Sequence, residues 1–299
     1  MEPITVLSLF NGMSCGYMAL QNAGIPVHTY YSSEIDKYAL AESQENFPDI
    51  IQLGDVTKWE EWDIDWSSID LLMGGSPCTD ISFAGKQQGL IKPDKNGNNG
   101  TRSGLFYVMM DIFNHIKTVN PEVKYLFENV KMKEESLIIF NNFIGHDSIF
   151  LNSQNYTAHY RQRHYWISTD NLIIAPPLSL SPNLSDIIEP GWYTDREKSY
   201  CIDANYAKGG DPNQYFNKSR RQMVFSSPDI NRDDLLKNGK NGVDYRKLSV
   251  LECCKLQGVP VDFFKVSSNT QAYKMLGNGW TVPVIEHLLR EIFDLNEKN

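Results

Sequence analysis

Short β-rich runs alternate with helical patterns through the first half of the chain, and each run ends in a turn of small residues. Residues 4–10 form the first such run, followed by a Gly/Ser/Asn turn and a helical stretch at 17–23 closed by Gly24. Residues 27–33 lead into a helical pattern at 36–45, and a third strand at 70–73 ends in Gly74-Gly-Ser-Pro-Cys78. Leu105, Val108, Met109, Ile112, Phe113 and Ile116 then recur at helical spacing, and the short strand at 125–127 runs into Glu128-Asn-Val130. This alternation predicts an α/β fold, a mostly parallel sheet with helices on both faces. In such sheets ligands gather at the carboxyl ends of the strands, where these turns fall.

The rhythm stops near residue 171. From there to 245 the chain is punctuated by Pro176, Pro177, Pro182, Pro190, Pro212 and Pro228 and has few periodic apolar runs, so it reads as an irregular insert. Residues 94–101 are another polar, glycine-rich segment, expected to be mobile. A last amphipathic helix is predicted at 284–295, with Val284, Ile285, Leu288, Leu289, Ile292 and Phe293 on one face.

A chain of 299 residues that is 41% hydrophobic and 12% aromatic can bury a sizeable core, which excludes a disordered protein. No stretch approaches the roughly 18 apolar residues of a membrane span, and the N-terminus lacks a basic n-region and a small-residue cleavage site. A soluble cytoplasmic protein is expected. The five cysteines, Cys15, Cys78, Cys201, Cys253 and Cys254, form neither a disulfide framework nor a CxxC metal pattern. No metal is expected, and a special cysteine here is a reactive one. With 28 Lys+Arg against 37 Asp+Glu the net charge is −9, an argument against nucleic-acid binding that only a local basic surface answers.

Residues 9–16, Leu-Phe-Asn-Gly-Met-Ser-Cys-Gly, sit between the first strand and the first helix. Small residues there let backbone N–H groups and a helix N-terminus approach a polar ligand, although a tight turn without a ligand has the same look. Glu34 ends the second strand about 20 residues on, where a ribose-binding carboxylate stands in nucleotide-binding folds. Together they favour a nucleoside-containing cofactor. Gly75-Ser-Pro-Cys78 sets a thiol just beyond a strand, after a proline that fixes the turn. A lone cysteine in this place is more often an inert buried residue. Glu128 ends another strand, however, and Arg161 and Arg163 lie in the aromatic, strand-like run 160–166. A thiol, a carboxylic acid and a guanidinium can converge on one planar heterocycle, whereas taken singly the charged residues are ordinary ion pairs.

In order and spacing these blocks resemble the cytosine C5-specific DNA methyltransferase family, of bacterial or phage type. The matching blocks are residues 10–16, 75–78, 128–130, 161–163, 246–260 and 275–283. Met13-Ser-Cys-Gly16 and the Gly279-Trp280 after Asn278 are closer to the eukaryotic de novo-type branch, and Ile35 stands where many relatives carry an aromatic. The resemblance implies a Rossmann-like class I methyltransferase domain over residues 1–169 and 246–299, and a small irregular target-recognition domain over 170–245.

It also implies a chemistry. Cys78 would add to carbon 6 of cytosine, because carbon 5 is not itself nucleophilic, and the resulting enamine would take the methyl group of S-adenosylmethionine. Glu128 would protonate or hydrogen-bond N3 and hold the exocyclic amine, while Arg163, supported by Arg161, would bind the O2 edge or a phosphate and orient the Cys78 loop. The cofactor pocket would comprise Phe10, Gly12, Met13, Glu34, Ile35, Asp55, Pro77, Leu105 and Asn278. The product would be S-adenosylhomocysteine. The target base must leave the duplex, and residues 79–90, with Ser82 and Lys86 as DNA contacts, resemble the family's mobile catalytic loop.

The resemblance makes double-stranded DNA the partner and a monomer the expected state. Between Lys198 and Arg221 five basic side chains, including Lys208, Lys218, Arg220 and Arg221, face two acidic ones, with Tyr200, Tyr206, Tyr215 and Phe216 interleaved. This is the expected DNA-contacting surface; a solvated loop with scattered charge is the alternative. A related tRNA methyltransferase branch would share the catalytic groups, but its Cys-Phe-Thr tripeptide is missing from this chain. A catalytically silent DNA-binding homologue would have no chemical need for Cys78, Glu128 and both arginines.

Overall fold

The computed structural model describes residues 1–78, 90–92, 100–169, 181–238 and 244–295. They fall into two compact units, one of residues 1–151, 162–175 and 286–299, the other of residues 152–161 and 176–285. Residues 246–285 fold with the second unit.

The first unit is built on seven strands: β1 (Ile4–Leu9), β2 (Val27–Ser33), β3 (Ile51–Gln52), β4 (Leu71–Gly74), β5 (Lys124–Val130), β6 (Ile149–Asn152) and β7 (Gln162–Ile167). They lie in the order β3-β2-β1-β4-β5-β7-β6. The pairs β1–β2, β2–β3, β1–β4 and β4–β5 are parallel, and β5–β7 is antiparallel. Strand order reverses between β1 and β4, so the loops leaving those two strands flank the switch point at which such sheets bind ligands. Every residue of β1 and β4 is buried, as expected for central strands covered on both faces.

Helices α1 (Cys15–Ala23), α2 (Lys37–Asn46), α3 (Leu105–Val119) and α4 (Glu134–Ile144) connect the strands. Gly24 ends α1 at φ +71°, and the N–H of Ile25 reaches the Leu20 carbonyl, an arrangement glycine adopts without strain. Asp36 caps α2 by accepting the Tyr38 N–H. α3 buries Phe106, Val108, Met109, Met110, Ile112, Phe113 and Ile116 against β1, β4 and β5 residues such as Leu7, Leu72 and Phe127. Leu105, expected on that apolar face, is half-exposed at the first turn. A Cβ on Gly74 would come within 2.7 Å of the Met109 sulfur, so a larger residue there would require the Met109 side chain to shift.

The second unit holds α5 (Pro212–Phe216), β8 (Met223–Phe225), α6 (Arg232–Asn238), β9 (Tyr245–Lys247), α7 (Val250–Gln257) and α8 (Asn269–Asn278). β8 and β9 pair antiparallel, and Tyr215, Met223, Phe225 and Leu235 form a small core around them. Part of the segment read as irregular thus carries short regular elements. Ser249 and Glu252 form a reciprocal cap on α7. The last helix, α9 (Val282–Ile292), ends before Phe293, which lies in the closing turn. Its C-terminal end belongs to the first unit, where Arg290 donates to the Asn22 carbonyl at 3.2 Å.

Candidate active site

The turn after β1 has an unusual backbone. Phe10, Gly12 and Ser14 have φ values of +55°, +58° and +66°. For the two residues with a Cβ, the left-handed region costs roughly 1–2 kcal/mol each. The turn is held by the Asn11 N–H on the Ser33 carbonyl (3.1 Å) and the Ser14 N–H on the Asn11 carbonyl (3.1 Å). Glu34, at the end of β2, accepts the Gly12 N–H on Oε2 and the Ile35 and Asp36 N–H groups on Oε1, all at 2.8 Å. The sequence-predicted pair of turn and carboxylate is therefore joined directly. A Cβ on Gly12 would meet nothing within 4 Å, so its backbone stands open to an approaching molecule. Ile35 presents an apolar side chain that is 71% exposed, the right surface for a flat ring, whereas Met13 is buried. Phe10 and Leu105 pack half-buried on the sheet core. Asp55 is exposed and accepts the Thr57 N–H and hydroxyl at 2.9 Å. Asn278 is exposed at the last position of α8, in the second unit.

The second half of the site follows β4 and β5. Cys78 is half-buried against the sheet core, four residues beyond the end of β4, with Pro77 beside it. Neighbouring residues on β5 point to opposite faces, and the strand uses both. Asn129, 1% exposed, donates from Nδ2 to the Ser76 carbonyl and hydroxyl at 3.1 Å, which ties the Cys78 loop to β5. Glu128 pairs with Arg163 on β7 (Nε to Oε1, 2.8 Å), both side chains being more than four-fifths buried. Glu128 sits opposite Tyr165 in the register, so Arg163 is its diagonal neighbour on the same face. The Arg163 Nη1 also donates to the Gln162 carbonyl at 2.7 Å. The result is a carboxylate of fixed orientation on the strand adjacent to the one that carries the thiol.

Arg161 behaves differently from Arg163. It is 4% exposed, lies in the second unit, and donates to the carbonyls of Ile202 (3.1 Å), Gly277 (3.2 Å) and Gly279 (2.9 Å). Its guanidinium thus braces the backbone on either side of Asn278. Of the basic residues expected on the DNA-facing surface, Lys208 and Lys218 are exposed; Arg220 is half-buried and bonds Gln214, and Arg221 reaches the Lys208 carbonyl at 3.3 Å. Lys198 is engaged elsewhere, on the carbonyls of Ser181 and Pro182. Ser82 and Lys86, most of the catalytic-loop segment and most of the 94–101 stretch lie outside the described residues. Asn129 was not singled out from the sequence; its place beside Glu128 on an alternating strand was the available signal. Among the described residues no group of His, Cys, Asp or Glu could hold a metal ion, and no helix is long and apolar enough to cross a membrane.

A mostly parallel seven-stranded sheet with an antiparallel β5–β7 pair and helices between its strands is the class I methyltransferase fold. In fold the chain is similar to the methyltransferase EhMeth of Entamoeba histolytica (TM-score 0.67, 15% identity, covering 99% of this chain and 100% of that one). It is equally similar to the Dnmt2 methyltransferase of S. pombe (TM-score 0.67, 16% identity, 98% and 99% covered). In sequence it matches the family described as C-5 cytosine-specific DNA methylase over residues 4–172 and 152–294, and it belongs to that family. The chain is therefore a DNA (cytosine-5-)-methyltransferase. Among curated relatives it is 29% identical to the type II methyltransferase M.SsoII of Shigella sonnei over 89% of this chain and 74% of that protein. It is 30% identical to the type II methyltransferase M2.ScrFI of Lactococcus lactis subsp. cremoris over 86% of this chain and 74% of that protein.

Proposed function

We propose that the enzyme transfers the methyl group of S-adenosylmethionine to carbon 5 of a cytosine flipped out of a short duplex DNA site, through a bond between Cys78 and carbon 6. The observation that carries this reading is the Glu128–Arg163 pair across β5 and β7 and, tied to β5 through Asn129, the loop that carries Cys78. Open backbone at Gly12, the Glu34 carboxylate and the exposed Ile35 suit a ligand with a ribose and a flat base. Phe10, Met13, Asp55, Pro77, Leu105 and Asn278 complete the proposed pocket. Bound S-adenosylmethionine supplies an electrophilic methyl group.

Cys78 thiolate adds to carbon 6, and the electron pair of the C5–C6 double bond moves to carbon 5, which takes the methyl. Glu128, aimed by Arg163, supplies a proton to N3, by transfer or as a hydrogen bond, and accepts from the exocyclic amine, so that negative charge does not accumulate on the ring. Arg163 donates to the O2 edge, and Arg161 acts through the backbone it braces. A base then removes the proton from carbon 5, the C6–S bond breaks, and the thiolate is restored. Lys208, Lys218, Arg220 and Arg221 contact phosphates, with Ser82 and Lys86 on the catalytic loop. The type II relatives support a DNA substrate and a restriction-modification setting.

Bisulfite sequencing of DNA from methylation-free cells that express the chain, beside Cys78→Ala, tests the reading. Protected cytosines in one fixed short context, absent with Cys78→Ala, are expected. Folded wild-type protein that protects no cytosine overturns it.

A further inference from the structure

We infer that Asn11, Tyr30, Ser14 and Ser43 are positioning residues for the cofactor: a buried hydrogen-bond chain that holds the 10–14 turn in its binding shape, so that cofactor affinity depends on side chains that do not touch the ligand. The inference rests on the proposed reading that this turn binds S-adenosylmethionine, and it extends the set of residues that binding requires.

The Tyr30 hydroxyl donates to Asn11 Oδ1 at 3.0 Å, and Asn11 Nδ2 donates to Ser14 Oγ at 2.7 Å. Ser14 Oγ lies 2.6 Å from Ser43 Oγ. Ser14 Oγ accepts from Asn11, and within the Ser14–Ser43 pair either hydroxyl can donate to the other, so the bonds run unbroken from Tyr30 to Ser43. Ser14 and Ser43 are fully buried, and Tyr30 and Asn11 are 2% and 9% exposed. Burial also raises the Tyr30 hydroxyl well above its ordinary range, which keeps it protonated and donating. Three elements are thereby pinned to one another: β2 through Tyr30, α2 through Ser43, and the turn through Asn11 and Ser14.

The turn needs that restraint. Phe10 and Ser14 occupy the left-handed region without glycine's freedom. Such a backbone persists only where its surroundings over-determine it. If Ser14 relaxes, the Gly12 N–H is released from Glu34 and the first turn of α1 shifts with it. The side chain at position 14 must be short enough to be buried and must carry a hydroxyl; glycine would satisfy the backbone and lose the bond.

The test is calorimetric binding of S-adenosylhomocysteine, with KM and kcat on DNA, for wild type, Ser43→Ala, Tyr30→Phe, Ser14→Ala, Ser14→Gly and Ser43→Thr, each well below its own Tm. Cofactor Kd and KM are expected to rise about five- to tenfold in Ser43→Ala and Ser14→Ala, the equivalent of removing one buried hydrogen bond, with kcat at saturating cofactor and DNA affinity unchanged. Ser14→Gly recovers part of the loss because glycine reaches the required φ freely, and Ser43→Thr restores binding through its retained hydroxyl. Unchanged Kd in Ser43→Ala and Tyr30→Phe, with only Tm lowered, overturns the inference and makes the chain a stability element. Wild-type protein that binds no S-adenosylhomocysteine overturns the proposed cofactor site itself, and the inference with it.

Discussion

The carboxyl edge of the parallel sheet and the segment from residue 181 to 257 hold their polar groups by different means. At the sheet edge the backbone does the positioning. Register sets Glu128 diagonal to Arg163, strand alternation turns Asn129 toward Ser76, and backbone N–H groups fix Glu34. In the second region, arginine side chains act as hubs in place of regular structure. Arg196 donates to Asp195 (3.0 Å) and to the Tyr215 hydroxyl (2.8 Å) and lies 3.8 Å from the centre of the Tyr200 ring. Arg246 donates to both oxygens of Glu252 at 2.7 and 2.9 Å, reaches Glu189 at 3.2 Å, and lies 4.4 Å from the Trp192 ring centre. A sheet can spread the removal of one side chain over many ladder bonds. A region whose strands and α-helices are three to eight residues long spreads it over fewer, and each hub there carries a larger share of the local order.

Removing a hub is the sharpest way to break that contrast. Arg246→Ala strands the Glu252 carboxylate, 1% exposed, and is expected to cost about 3 kcal/mol at neutral pH. Binding of S-adenosylhomocysteine at the proposed site, most of whose residues lie in the sheet unit, should survive below the lowered Tm. Burial by itself would raise the Glu252 carboxyl, but the Arg246 guanidinium and the N–H groups of Glu189 and Ser249 outweigh it and hold it below its ordinary 4.5. The carboxylate therefore adds stability above that pH and loses it as pH falls further. The gap between wild type and Arg246→Ala in urea unfolding should narrow in that acid range; a constant gap would show that packing on Trp192 dominates.

A smaller effect with another pH window is expected in the sheet unit. Burial, with Lys131 nearby, lowers His164 from 6.5 to about 4. The neutral ring in the folded state favours folding above 6.5, and that contribution disappears as pH falls from 6.5 toward 4. His164→Gln should flatten the pH dependence of Tm across that interval; an unchanged profile refutes the assignment. The smallest effect belongs to the basic surface. Arg220→Ala with Arg221→Ala should leave Tm nearly unmoved, weaken DNA binding, and lower the salt slope by roughly one unit for each phosphate no longer neutralised. Unchanged binding removes these residues from the DNA interface.

The same contrast explains what was legible in the sequence. The β1–α1–β2–α2 rhythm, α3 and the place of Glu34 just after β2 carry local periodic signals, and the structure has those elements there; Cys78 lies four residues beyond β4, and Glu128, expected to end a strand at 125–127, lies inside β5, because pairing with β7 extends that strand to Val130. α4 went unread because Leu137-Ile-Ile-Phe140 is a continuous apolar run that periodicity cannot assign to helix or strand. β8, β9 and α5 span three to five residues each, too short for a period to register, and their core joins positions from 215 to 235. Pairings such as Asn129 with Ser76 and Ser14 with Ser43 lie 53 and 29 residues apart and follow from the fold alone. Arg161 and Arg163 look alike in the sequence, yet one serves carbonyls and the other a carboxylate.

The second unit is assembled from two stretches of chain, 152–161 and 176–285. The short stretch is stitched to the long one: Ser153 donates to the Thr281 hydroxyl at 3.0 Å, Thr281 donates to Gln257 at 2.8 Å, and Arg161 grips the carbonyls of Ile202, Gly277 and Gly279. Inheritance of this unit is therefore a two-part transaction. Recombination that exchanged only the longer stretch with a relative would leave ten residues of one parent to cap the backbone of the other, and a working hybrid has to bring residues 152–161 along with the cassette they lock.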